Sequence, residues 1–161
     1  MVKIEILMNE GKLSRISELE KKRYVNFFAQ SYTENFEHSI FVMERFPRWS
    51  IISGYYAMHD ITKLLLAKEF GLRVDYKVHA TTIKAVRELV RNKEILKLIE
   101  RGYQEFISLA NDLAEAKKER VKAQYYTGTD FMRKHYAESA SEFSRDVVIP
   151  YIERIRKLLG E

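Results

Sequence analysis

The stretch from Pro47 to Gly71 constrains the fold more than any other part of the chain. Proline is tolerated in the first turn of a helix, and glycine favours the position just past the end of one. Between them, Ile51, Tyr55, Met58 and Leu65 form one line at helical spacing, and Ile52, Tyr56 and Leu64 form another. An apolar surface that wide needs cover on several sides, which predicts the central helix of a bundle. Gly54 costs about 1 kcal/mol relative to alanine inside a helix. With Ser53 and Ala57 it makes a small-residue patch that a neighbouring element can approach closely.

The flanking sequence continues the helical theme. Residues 2–7 alternate like a strand without a partner, so they read as an extended arm or the lead-in to a helix. From Leu13 to Phe46 the spacing of Leu13, Ile16, Leu19, Tyr24, Phe27, Phe28, Phe36, Ile40 and Met43 is helical. A break near Ser31–Thr33, with Thr33 as a new N-cap, divides that run. Residues 72–79 read as a polar connection. Helical spacing resumes at Thr81, is interrupted at Asn92, and runs on to about Tyr126, with a turn at 127–130. The last helix carries Met132, Tyr136, Ala140, Phe143, Val147, Tyr151, Ile155 and Leu158 in period, with Pro150 expected to kink it. The expected fold is all-α, an up-and-down bundle of about five helices. Residues 1–31 form an N-terminal helical extension and 32–161 the bundle proper, within a single compact domain.

Only 6 Gly and 2 Pro occur in 161 residues, which argues against an all-β chain. There is no cysteine, so disulfides, thiolate metal sites and cysteine nucleophiles are excluded. No apolar run reaches the ~18 residues of a membrane span, and no signal-peptide pattern opens the chain, so a cytoplasmic location is expected. A net charge of +5 permits an anionic partner without amounting to a polybasic arm.

The order of short motifs is distinctive. A helix carries Gly54-Tyr55-Tyr56-Ala57-Met58-His59 and ends at Gly71, and a lone His79 heads the next helix. Arg120-Val121-Lys122-Ala123-Gln124-Tyr125-Tyr126 precedes a turn and a final helix with Tyr136-Ala137-Glu138-Ser139-Ala140-Ser141-Glu142-Phe143. From about Tyr32 to the C-terminus this resembles the HEPN domains, small helical proteins of prokaryotes and eukaryotes. The resemblance implies a helical bundle, commonly a homodimer. It also implies kinship with metal-independent ribonucleases of toxin–antitoxin systems, or with non-catalytic members that pair with small nucleotidyltransferases and bind nucleotides or RNA. The ribonucleases carry a polar residue after an Arg and a His separated from that Arg by four to six residues. Here Val121 follows Arg120, and Tyr125, Tyr126 and Thr127 stand where the His is required. A phenol titrates near 10, so it is a poor proton shuttle at neutral pH.

Three constellations remain. Arg73 and His79 have the literal Arg-to-His spacing but lie in the connection after the central helix, so His79 reads as capping or anchoring the next helix ahead of any nuclease role. The four histidines stand singly, without metal-ligand spacing, and no glycine-rich phosphate loop exists, so no metal or cofactor is expected. Lys118, Arg120 and Lys122 with Gln124, Tyr125 and Tyr126 combine cations with rings near a helix end. Such a set neutralises phosphate and stacks on bases, although cations also favour helix C-termini for their own sake. The resulting expectation is a non-catalytic nucleotide- or RNA-associated module, homodimeric, with a nucleotidyltransferase as a further partner. The alternatives are a divergent ribonuclease and a purely structural docking module.

Overall fold

Pro47 and Gly71 do bound a helix, and it lies at the centre of the molecule. In the computed structural model, which describes residues 4–122 and 129–161, with side chains described at 4–109, 111 and 134–161, helix α3 spans Pro47–Phe70. Proline occupies its first turn, and Gly71 closes it in the left-handed conformation at φ 63°. Tyr55, Met58, Ile61 and Leu65 are at most 1% exposed. Five other helical elements pack against α3 and cover its circumference.

Those elements are α2 (Glu18–Phe41), α4 (Val78–Leu89), α5 (Lys93–Lys122), α6 (Thr129–Phe143) and α7 (Ile149–Leu159), with a short α1 (Ile4–Asn9) ahead of them. The protein is an all-α helical bundle. Asn92 starts α5 as expected of a capping residue, its side-chain carbonyl accepting from the backbone N–H groups of Glu94 and Ile95. Pro150 exerts its effect one turn early. A π-turn over Ser144–Val148 joins α6 to α7, and the Ile149 N–H donates five residues back to Ser144. A widened turn absorbs the hydrogen bond that the proline ring cannot make. Gly54 faces this turn, where an added Cβ would stand 3.0 Å from Val148 Cγ2 and 3.5 Å from Phe143 Cε1.

The N-terminal third departs from the sequence reading. Of the two readings left open for the first residues, the extended arm is the one that fails, since 4–9 are helical. Leu13–Arg15 is a strand, β1, which pairs antiparallel with β2 (Leu72–Val74) inside the supposed polar connection. Leu13 faces Val74 and Arg15 faces Leu72 across the ribbon. Three-residue strands are too short to display alternation, and their pairing spans most of two helices, so local periodicity is blind to them. Their reason for forming is burial: Leu7, Leu13, Leu66, Leu72, Val74 and Ala85 make a second small core. The break at 31–33 is absent. The Thr33 hydroxyl donates to the Ala29 carbonyl within an unbroken α2 instead of capping a new helix. Phe28 and Tyr32, on either side of the expected boundary, both enter the main core.

Candidate functional site

Two groups of side chains stand out, one inside the bundle and one at its surface. The inner group is built on α3. Tyr55 and His59 lie one turn apart on the face toward α4 and α5, and Asp60 and Lys63 lie on the face toward α2. From α4, the first-turn His79 brings its Nδ1 to 2.7 Å from the Tyr55 hydroxyl, and Thr82 Oγ1 stands 3.2 Å from His59 Nε2. The two imidazole centroids are 4.8 Å apart. Tyr103 and Phe106 of α5 close the aromatic wall, with Phe106 stacked on Tyr55 at 4.6 Å.

Burial governs the protonation of this group. His59 is 2% exposed, and desolvation, aided by the nearby Lys63 and His79, lowers it to about 3. It is neutral at pH 7, so the Asp60 carboxylate at 3.9 Å from its Nδ1 is a neighbour and not an ion-pair partner. That nitrogen makes no direct hydrogen bond. His79 is shifted down by the same cause, and the Tyr55 phenol is pushed up. Asp60 is raised by burial, while Ser31 Oγ at 2.7 Å and Asn35 Nδ2 at 3.0 Å donate to its Oδ2 and oppose the shift. Lys63 is lowered by burial, and its ammonium stands 4.9 Å from the Phe28 ring centre. These are the functional-looking residues that the sequence reading left apart. The adjacency of His59 and Asp60 was the only local signal, and it says nothing of Thr82, Ser31 or Asn35.

The arrangement makes a poor acid–base centre at neutral pH. His59 is sealed from any substrate, and His79 spends its Nδ1 on Tyr55. Arg73 does not join them. Its guanidinium bonds Asp75 at 2.7 Å and lies 3.9 Å from Glu20, on the β-ribbon. The Arg73–His79 spacing therefore places the pair in sequence without bringing the two functional groups together. Among the described residues no three His, Asp or Glu side chains gather to hold a metal ion.

The outer group sits at the α2–α3 turn. Phe46 and Trp49 are 51% and 59% exposed, and the Arg45 guanidinium lies 5.5 Å from the Phe46 ring centre. Arg48 reaches over the Tyr136 ring of α6 at 5.7 Å. Among the described residues neither arginine pairs with a carboxylate, whereas Arg73, Arg87 and Arg145 all do. Two cations without a carboxylate partner among the described residues, and two open rings, all within five residues, form a surface suited to an anionic, aromatic ligand. By contrast, an open hollow of about 320 Å³ between α3, α4 and α7 is lined by Leu65, Phe70, Leu89, Val90, Leu158 and the acid Glu69, which repels phosphate.

The sequence-predicted cations relate to the outer group by helix direction. Gly102 meets Met58 and Phe106 meets Tyr55, so α5 runs antiparallel to α3 and heads toward the end where α3 begins. Lys118, Arg120 and Lys122 belong to the last turns of α5. Their side chains, and the whole of Gln124, Tyr125 and Tyr126, lie outside the described residues. Among the described residues no helix is long and apolar enough to cross a membrane. Comparison with protein-family models, with curated proteins and with solved structures finds no match for this chain.

Proposed function

We propose that the chain is a non-catalytic, HEPN-like module that associates with nucleotides or single-stranded RNA through the α2–α3 turn. The observation that carries this reading is the grouping of Arg45, Phe46, Arg48 and Trp49, with both rings open and both guanidinium groups free of carboxylates among the described residues. Phosphate neutralisation by arginine and stacking by aromatic rings together supply sequence-tolerant binding. A charge of +5 over the chain favours the encounter. Lys118, Arg120 and Lys122, on a helix that heads toward the same end of the bundle, are proposed to extend the surface, with Tyr125 and Tyr126 as further stacking rings. The non-catalytic part of the reading is supported by the sealed His59 and by the engagement of His79 and Arg73 with separate partners.

Trp49 is the only tryptophan in the chain and reports directly on its own site. Titration of the purified protein with an oligo-uridine twelve-mer and, separately, with ATP should quench its fluorescence. Affinity should fall steeply with salt, and Arg45→Ala and Arg48→Ala should each flatten the log–log salt slope by about one. Unchanged Trp49 emission at low salt with both ligands would refute the proposal. So would RNA cleavage that disappears in Arg120→Ala, which would support the ribonuclease alternative.

A further inference from the structure

The outward face of α2 carries a stripe of exposed residues at positions 19, 23, 26, 30, 34, 37 and 41. At 100° per residue these seven fall within about 80° of one another, so they line one side of the helix over roughly 33 Å. Their order is the same read from either end about Gln30. Leu19 mirrors Phe41, Arg23 mirrors Glu37, and Asn26 mirrors Glu34. Each mirrored couple is chemically complementary: apolar with apolar, cation with anion, amide donor with carboxylate. Leu19 and Phe41 are 96% and 87% exposed, one at each end of the stripe. Among the described residues, Arg23 and Glu37 have no ionic partner within their own chain.

From this symmetry we propose that the α2 face is a self-complementary docking surface whose occupant is a second copy of the chain, bound antiparallel about a two-fold axis at Gln30. An isologous interface requires that residue i meet residue j while j meets i, and the stripe has that property at every position. The antiparallel arrangement sets Arg23 against the partner's Glu37 twice, brings Asn26 to the partner's Glu34, and packs Leu19 on the partner's Phe41 at both ends. A parallel arrangement would oppose Arg23 to Arg23 and Glu37 to Glu37, so the charges select the direction. Gln30, which in the single chain donates to Glu34 at 2.7 Å, meets its own copy on the axis. The interface leaves Arg45, Arg48 and Trp49 outside it, so it stands independently of the proposed nucleotide surface.

The charge pattern supplies a test that a change in folding cannot imitate. Light scattering on the purified protein at micromolar concentration should give the mass of a dimer, about twice 19.1 kDa. Arg23→Glu alone places two like-charge pairs across the axis, and so does Glu37→Arg alone. Each should raise the dimer dissociation constant about tenfold or more. Mixing the two single variants makes a heterodimer in which both crossed pairs are again opposite in sign, so dimers should return. The double variant Arg23→Glu/Glu37→Arg should dimerise by itself for the same reason. A monomer in the unaltered protein overturns the proposal. A dimer indifferent to both single changes also overturns it, and so does failure of the mixture to reassociate while both variants keep their helical circular dichroism.

Discussion

Acidification from pH 7 to pH 5 should remove about 2 kcal/mol of folding stability through His59 alone. The imidazole titrates at about 3 in the folded protein, against an ordinary 6.5. Its folded value is depressed, so below 6.5 the unfolded chain binds a proton that the folded chain refuses. The contribution is complete above that value, is lost as pH falls, and stops falling near 3. Each unit of pH within the window carries 1.36 kcal/mol, and integration between pH 7 and 5 gives about 1.9 kcal/mol. His79, also shifted down, adds to the loss. Asp60 acts with the opposite sign, because its raised carboxyl takes up a proton in the folded state first and gains stability as pH falls through that value. Lys63, the remaining charge on this seam, is lowered by burial, against the opposing pull of the Asp60 charge. Urea unfolding at pH 7, 6 and 5 and constant ionic strength measures the slope. The decisive comparison is His59→Gln, which keeps a polar group beside Thr82 and cannot titrate. Its stability should fall by about 2 kcal/mol less over the same interval. An unchanged pH slope in that variant would refute the assignment of a buried neutral imidazole.

Two further outcomes follow from the core. The Tyr151 hydroxyl, fully buried, donates to Thr62 Oγ1 at 2.6 Å, and Thr62 in turn donates to the Met58 carbonyl. Tyr151→Phe leaves the second bond intact, so it should cost only about 1 kcal/mol and lower the melting temperature by ~2–4 °C; a cost above about 3 kcal/mol would show that the packing had changed. Gly54→Ala gains about 1 kcal/mol of helix propensity but drives a Cβ to 3.0 Å from the rigid Val148 methyl, so the net effect in urea should be destabilisation. Adding Val148→Ala opens that space, and the pair should be less destabilised than the sum of the single changes.

The amino-acid sequence carried the class of the fold and the identity of its central helix. Pro47, Gly71 and the wide apolar surface between them are local features, and helical stops and faces follow from local rules. Asn92 as the start of α5 and the disturbance around Pro150 were legible for the same reason. The β-ribbon was not, because Leu13 and Val74 are sixty-one positions apart in the chain and each strand shows only three residues of pattern. The continuity of α2 past Ser31 was also hidden: Thr33 reads equally as a cap or as a back-bonded helical residue, and packing on α3 chooses the second. The candidate sites divide along the same line. Arg45, Phe46, Arg48 and Trp49 are neighbours in sequence, yet only folding shows that the rings stay open and the cations lack carboxylate partners among the described residues. Neutral His59 and raised Asp60 depend on burial, which the helices packed on α3 supply, and for Asp60 that burial outweighs the opposing hydrogen bonds from Ser31 and Asn35. A protonation state is set by burial and by groups distant along the chain, and neither is written in a residue's immediate neighbours.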